Sequence, residues 1–217
     1  MKTFEAIIFD MDGLLLDSER MAYNAFQQTC RQFELGDRNE LYMQCIGTNA
    51  DATKKILSEG LGDDVEFDHF WKICRATYHE AIATKGIPLK EGVTTLLEHI
   101  SSLNIPAAIA TSTQTDIAQT KLQNSGILDY FRIIIGGEQV RKSKPHPDIY
   151  LKAVTELAVN ASKSLALEDS ENGVKSASSA GLTVIQIPDL VQPSAALKQN
   201  GHIILDSLQE VVYFDFK

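Results

Sequence analysis

Cysteine is scarce in this sequence: Cys30, Cys45 and Cys74 are the only three, with neither Cys-x-x-Cys nor zinc-finger spacing. That excludes a disulfide scaffold and a thiolate metal site, and reads as three reduced, apolar fillers. Positive charge is also in deficit, since 20 Lys and Arg against 29 Asp and Glu leave a net charge of −9. A broad polyanion-binding face does not fit that balance, so nucleic acid is not an expected partner. No apolar run approaches the ~18 residues that a membrane helix needs. The apolar stretch after Lys2 is broken by Asp10 and Asp12, too soon for a signal peptide. No membrane partner is expected, and a cytoplasmic monomer is. Internal repeats and low-complexity segments are missing too.

What remains is an ordinary globular composition, 44% hydrophobic and 23% charged over 217 residues. Such a length holds one large domain, or one domain carrying an insertion. Phe4 to Phe9 is a compact, isoleucine-rich run that stops at an acidic loop, as a strand buried on both faces does. Similar runs follow at Ile105–Ala110, Arg132–Ile135, Ser164–Leu167 and Thr183–Ile187. Helical periodicity separates them at Asp116–Asn124, Pro147–Val159 and Gly173–Ala180. Alternating strand and helix predicts an α/β fold, a Rossmann-like parallel sheet covered by helices.

The gap between the first two strands is nearly a hundred residues, too long for one crossover. Within it Met21–Phe33, Ala52–Leu61 and Phe67–Ala83 space their apolar residues as helices do. The expected organisation is a core of residues 1–17 and 86–217 with an all-helical insert at 18–85. Asp17-Ser18, with Ser18 as helix cap, and Lys85-Gly86-Ile87-Pro88 are the expected hinges.

Ligands of an open parallel sheet bind beyond the C-terminal strand ends. After the first strand stand Asp10-Met11-Asp12-Gly13; after the second, Thr111-Ser112-Thr113-Gln114 leads into a helix. After the third comes Arg141-Lys142-Ser143-Lys144-Pro145-His146-Pro147, and after the fourth Glu168-Asp169-Ser170-Glu171-Asn172-Gly173. Each has a plainer explanation alone: a solvated acidic turn, helix capping by a hydroxyl, a charged surface loop, capping by Ser170. Together they place carboxylates, hydroxyls and a lysine at one edge, which capping does not predict. The two prolines should hold the chain beside Lys144 extended, aiming its amine.

Four carboxylates crowded at that edge raise one another's pKa unless a cation neutralises them. Mg²⁺, which takes carboxylate and phosphate oxygens, fits this donor set. The five histidines form no ligand pair: His69, His79 and His99 fall on predicted helices, His146 lies between prolines and His202 near the end. Two carboxyl groups, a hydroxyl, a lysine and Mg²⁺ make a phosphoryl-transfer site running through an aspartyl-phosphate. Asp10 would attack phosphorus. Asp12 would protonate the leaving oxygen and then deprotonate water, for which its pKa should sit above the solution value. Thr111, Lys144 and the metal would spread the charge on the transferring oxygens.

These segments, Asp10-Met11-Asp12-Gly13, Thr111, Lys144-Pro145 and Glu168-Asp169, resemble the four ordered motifs of the haloacid dehalogenase superfamily. The resemblance spans the whole core and implies a Mg²⁺-dependent hydrolase. It makes Asp10 nucleophile and metal ligand, Asp12 acid/base with its carbonyl on the metal, Thr111 and Ser112 with Lys144 the phosphate binders, and Asp169 with Glu168 the rest of the metal site. The helical insert resembles the small cap of the β-phosphoglucomutase and phosphatase subgroup, and Phe9–Arg20 resembles the opening of the pseudouridine-5′-phosphatase type. A phosphatase of a small phosphorylated metabolite, a sugar phosphate or nucleotide, is the implied activity. Arg20, Asn24, Thr48, Lys72, Arg75 and Tyr78 are candidates for reading the substrate from the cap.

A phosphomutase is the nearest rival, disfavoured because Gly47 is followed by Thr48-Asn49-Ala50 where the mutases carry an arginine. A non-catalytic binding module would not need both Asp10 and Asp12. Gly137 to Ser143 lacks the second glycine of a P-loop, and no Gly-x-Ser-x-Gly elbow of a serine hydrolase occurs.

Overall fold

A computed structural model describes residues 4–48 and 50–216; Lys2 and Asn49 lie outside them. Six strands form one sheet: β1 (Ala6–Phe9), β2 (Ala107–Ala110), β3 (Phe131–Ile135), β4 (Ser164–Glu168), β5 (Thr183–Gln186) and β6 (Ile203–Ile204). Their order is β3-β2-β1-β4-β5-β6 and every pairing is parallel. The order reverses direction about β1, with β2 on one side and β4 on the other. That is the switch point at which crevices open in such sheets.

The isoleucine-rich runs become central strands because both faces of the sheet are covered. In β1, Ile7 and Phe9 pack into one apolar cluster and Ile8 into the other. The same alternation divides Leu165 and Leu167 from Ala166 in β4, as the two-residue period requires. All four residues of β1 are completely enclosed, each large side chain contributing ~1.5–3 kcal/mol by burial.

Five helices lie between β1 and β2 among the described residues, and the first four are α1 (Ser18–Gln32), α2 (Asn39–Met43), α3 (Ala50–Leu61) and α4 (Phe67–Lys85). They share a cluster of their own around Phe26, Tyr42, Leu57 and Phe70, which takes in all three cysteines. These thiols are free, and burial pushes them up, to about 11 for Cys30 and Cys74 and about 12 for Cys45, so they remain thiols. The segments entering and leaving the four helices run side by side. The Asp17 N–H donates to the Pro88 carbonyl, the Lys90 N–H to the Leu15 carbonyl, each at 2.9 Å, and Leu16 bridges to Leu89. Gly86 ends α4 at φ 68°, a left-handed turn open to glycine.

The rest of the chain supplies α5 (Val93–Ser102), α6 (Thr115–Asn124), α7 (Asp148–Leu157), α8 (Glu171–Ser179), α9 (Ala195–Lys198) and α10 (Leu208–Val211). Two local expectations are corrected. Ser18 is not a cap: Asp17 occupies that position without a side-chain capping bond, and the Ser18 hydroxyl turns instead to Asp12 at 2.6 Å. The chain around Pro145 and Pro147 is not extended but turns, with the His146 N–H donating to the Ser143 carbonyl at 3.1 Å.

Among the described residues no helix is long and apolar enough to cross a membrane.

Candidate active site

β1 and β4 are neighbours in register, Phe9 against Leu167, so the residues following them emerge side by side. The Asp10 N–H continues the ladder to the Leu167 carbonyl at 2.9 Å. Asp10, Glu168 and Asp169 each bring a carboxylate oxygen within 4.8 Å of the others, and all three are buried. Lys144 reaches them from the loop before α7, its Nζ 2.5 Å from Asp10 Oδ1 and 2.6 Å from Glu168 Oε1. From α7 itself the Tyr150 hydroxyl donates to the same Glu168 oxygen at 2.5 Å.

Close approach here depends on glycine. A Cβ on Gly173, in the first turn of α8, would lie 1.9 Å from the Glu168 carboxylate carbon. A Cβ on Gly13 would lie 2.4 Å from Asp169 Oδ2. Ser170 caps α8 as expected, accepting from the Gly173 N–H at 3.1 Å.

Burial pushes the Asp10 carboxyl up to about 7 against the pull of Lys144, with Glu168 adding like-charge repulsion. Asp169 is driven upward by burial and then by the charges of Asp10 and Glu168. Lys144 is held above its ordinary value because the two carboxylates outweigh its own burial. One lysine thus faces three enclosed carboxylates. That donor set, all oxygen and short of positive charge, suits Mg²⁺ rather than a thiolate or imidazole metal.

Asp12 is arranged differently. Its Oδ1 accepts from Ser18 Oγ at 2.6 Å and from Lys121 Nζ at 2.7 Å; its Oδ2 accepts from Thr113 Oγ1 at 2.7 Å. Burial would raise its pKa, but the Lys121 charge and the donors from Lys121, Ser18 and Thr113 carry it below the ordinary value. The expectation of a raised Asp12 is therefore corrected: in this arrangement it is a carboxylate. Its side chain also stands apart from the three-carboxylate cluster.

Thr111 continues β2 and is 1% exposed; its Oγ1 accepts from the Thr113 N–H at 3.1 Å. Ser112 is half-buried in the same turn, above Gly137, where a Cβ would lie 2.5 Å from the Ser112 carbonyl oxygen. The Thr115 N–H is taken by the Glu138 carboxylate at 3.1 Å.

Of the six cap candidates, Tyr78 is brought to the site: it is half-buried beside Lys121, Asp12 and Glu19. Thr48 adjoins it through Gly47, which packs on Ser170 and whose carbonyl accepts from Asn172 Nδ2 at 3.2 Å. Arg20 is directed to Asp17 at 3.4 Å and Asp189 at 3.8 Å, near the connecting segments. Asn24, Lys72 and Arg75 are exposed.

Sequence reasoning missed Lys121, Thr113, Ser18, Tyr150 and Glu19 as site residues. Thr113 stands in the loop after the second strand, where the sequence assigns it no role of its own. Lys121, in the last turn of α6, had no local signal. Glu19 approaches the Gly13 turn, and burial, with Asp12 repelling it, raises its carboxyl to about 8.

A parallel sheet with two acidic strand ends at its switch point, a lysine set on them and a helical insert above defines a phosphoryl-transfer hydrolase. Residues 7–187 match the model of the haloacid dehalogenase-like hydrolases, and the chain belongs to that family. It is similar to "Phosphorylated carbohydrates phosphatase" of Thermotoga maritima, 31% identical over 96% of each chain. It is also similar to "Probable pseudouridine-5'-phosphatase" of Drosophila melanogaster, 30% identical over 90% of this chain and 85% of that one. Among solved structures, CbbY from Rhodobacter sphaeroides in complex with phosphate superposes with a TM-score of 0.74, at 28% identity and 96% coverage of both chains. The class of enzyme is phosphoric monoester hydrolase.

Proposed function

We propose that the protein is a Mg²⁺-dependent phosphatase that hydrolyses a small phosphomonoester, a sugar phosphate or nucleotide, through an aspartyl-phosphate on Asp10. The observation that carries this is the set of Asp10, Glu168 and Asp169, three buried carboxylates within 4.8 Å under a single lysine, beside a separately held Asp12. Mg²⁺ held by Asp10, Glu168, Asp169 and the main-chain carbonyl of Asp12 would supply the missing positive charge and polarise the phosphate.

Asp10, at the mouth of β1, would attack phosphorus, and Lys144 would hold the attacking carboxylate and the transferring oxygens together. Thr111 and Ser112, with the turn before α6, would take the remaining phosphate oxygens. Asp12 rests as the carboxylate, the form that accepts a proton from water in the second half of the reaction. A phosphate dianion arriving beside it raises its pKa by like-charge repulsion, which loads the proton needed by the leaving oxygen in the first half.

Residues 1–17 and 86–217 would form the catalytic core and 18–85 the cap. Gly47 against Ser170 and Tyr78 against Lys121 are the contacts by which the cap would close, excluding water and selecting the ester. The similarity to the Thermotoga phosphatase favours phosphorylated carbohydrates among the small esters.

The test is phosphate release from a panel of sugar phosphates, nucleotides and phosphoglycolate, with and without Mg²⁺, for the parent and Asp10→Asn. Release that needs the metal and vanishes in Asp10→Asn is expected. Consumption with an isomeric phosphate as product would favour a phosphomutase, and no turnover would favour a binding module.

A further inference from the structure

Lys121 belongs to none of the segments that single out the site. It sits on α6 between Thr120 and Leu122, in a stretch that reads as an ordinary amphipathic helix. Its Nζ nevertheless lies 2.7 Å from Asp12 Oδ1, 109 residues away in sequence, and its side chain is only 15% exposed. Holding a lysine so nearly enclosed costs free energy that a surface ion pair would avoid, and the other side of the balance is the Asp12 charge.

The three donors divide Asp12 unequally. Oδ1 takes both Ser18 and Lys121, while Oδ2 takes Thr113 alone. A carboxylate oxygen offers about two lone-pair positions, so Oδ1 is filled and Oδ2 keeps one free. The oxygen able to exchange a proton with a leaving group or a water is therefore fixed as Oδ2. The four-helix segment meets Asp12 through Ser18, and Tyr78 of α4 and Glu19 of α1 lie beside Lys121.

We propose that Lys121 is a positioning residue for Asp12: it occupies Oδ1 and presents Oδ2 to the reacting oxygens. This rests on the reading of Asp12 as the acid/base group. Lys121 itself touches no reacting atom.

The test uses the full chain with Mg²⁺ and two substrates, an alkyl phosphate whose leaving group needs a proton and p-nitrophenyl phosphate whose leaving group does not. Lys121→Met should lower kcat on the alkyl ester by about 100-fold, the lower bound for general acid–base catalysis, with KM unchanged. On p-nitrophenyl phosphate the first-turnover burst of nitrophenol should survive while the steady state falls, because only water activation still needs Oδ2. Lys121→Arg should restore kcat to within about tenfold, since its fork reaches the same oxygen. Thermal melts check folding, and Lys121→Gln replaces Lys121→Met if the latter is unfolded.

A rise in KM at constant kcat would make Lys121 a substrate-binding cation instead. A burst lost in parallel with steady-state turnover would make its role merely structural. Either overturns the proposal while leaving the phosphatase reading intact. If the parent itself releases no phosphate and Asp10→Asn makes no difference, the phosphatase reading falls and this proposal with it.

Discussion

Removing the Lys144 amine tests the electrostatics of the site with the least ambiguity, because that amine is nearly enclosed, with a side chain 4% exposed. It lies 2.5 Å from Asp10 and 2.6 Å from Glu168. At an effective dielectric of about 20, each such contact corresponds to about 6–7 kcal/mol of attraction. Desolvation of the enclosed ions, several kcal/mol each, offsets most of this, and breaking a buried pair by deleting one partner costs about 3–5 kcal/mol net. Lys144→Met keeps the aliphatic stem and removes only the charge. For a chain of this size a loss of about 3–5 kcal/mol lowers Tm by roughly 6–20 °C.

The loss should depend on pH and on metal. Without Lys144, the upward push that burial already exerts on Asp10 and Asp169 has no cation against it. The folded variant then holds protons that the unfolded chain has released, so its stability falls as pH rises. Calorimetric or fluorescence melts at pH 5.5 and pH 8, with and without Mg²⁺, should show a deficit that is smaller at pH 5.5 and partly recovered by Mg²⁺ at pH 8. A deficit equal at both pH values and untouched by Mg²⁺ would falsify the picture of three carboxylates awaiting a cation.

The metal-free parent should behave similarly in weaker form. Asp10 at about 7 and Glu19 at about 8 stay protonated in the folded state well above their ordinary values, so stability declines as pH rises from about 4 to about 8. Mg²⁺ competes with those protons, so its stabilisation, read as a rise in Tm, should be larger at pH 8 than at pH 5; an equal rise would contradict this. At the opposite edge of the cluster, Gly173→Ala places a methyl 1.9 Å from the Glu168 carboxylate carbon. Overpacking of this kind costs about 1–3 kcal/mol, and because Glu168 must move, weaker Mg²⁺ binding by titration calorimetry should accompany the lower Tm.

The central strands were legible because a parallel sheet buries both faces, and runs such as Ala6-Ile7-Ile8-Phe9 have no other home in a globular chain. β3, at the sheet edge and less enclosed, still kept its isoleucines. β6 is two residues long, α2 five and α9 and α10 four each, below the length at which periodicity carries information. The strand-end groups Asp10, Lys144, Glu168 and Asp169 were legible as well, since the topology alone sends them to one edge. What was not legible were partners arriving from elsewhere. Thr113 and Lys121 meet Asp12 across 101 and 109 residues. With nothing in the sequence to pair these donors with Asp12, burial and neighbouring carboxylates set its expected pKa, and the structure reverses the direction. Ser18 looked like a helix cap because Ser at a helix start is one so often; here its hydroxyl had a carboxylate within reach.

The most direct test of the account is to quench the Mg²⁺-loaded enzyme in acid during turnover and map phosphorylation by peptide mass spectrometry. One phosphoryl group on Asp10, lost on chase with water and never formed by Asp10→Asn, is the result expected. Rapid release of inorganic phosphate with no phosphoryl group on Asp10 at any quench time would contradict it, and would mean that water attacks phosphorus directly.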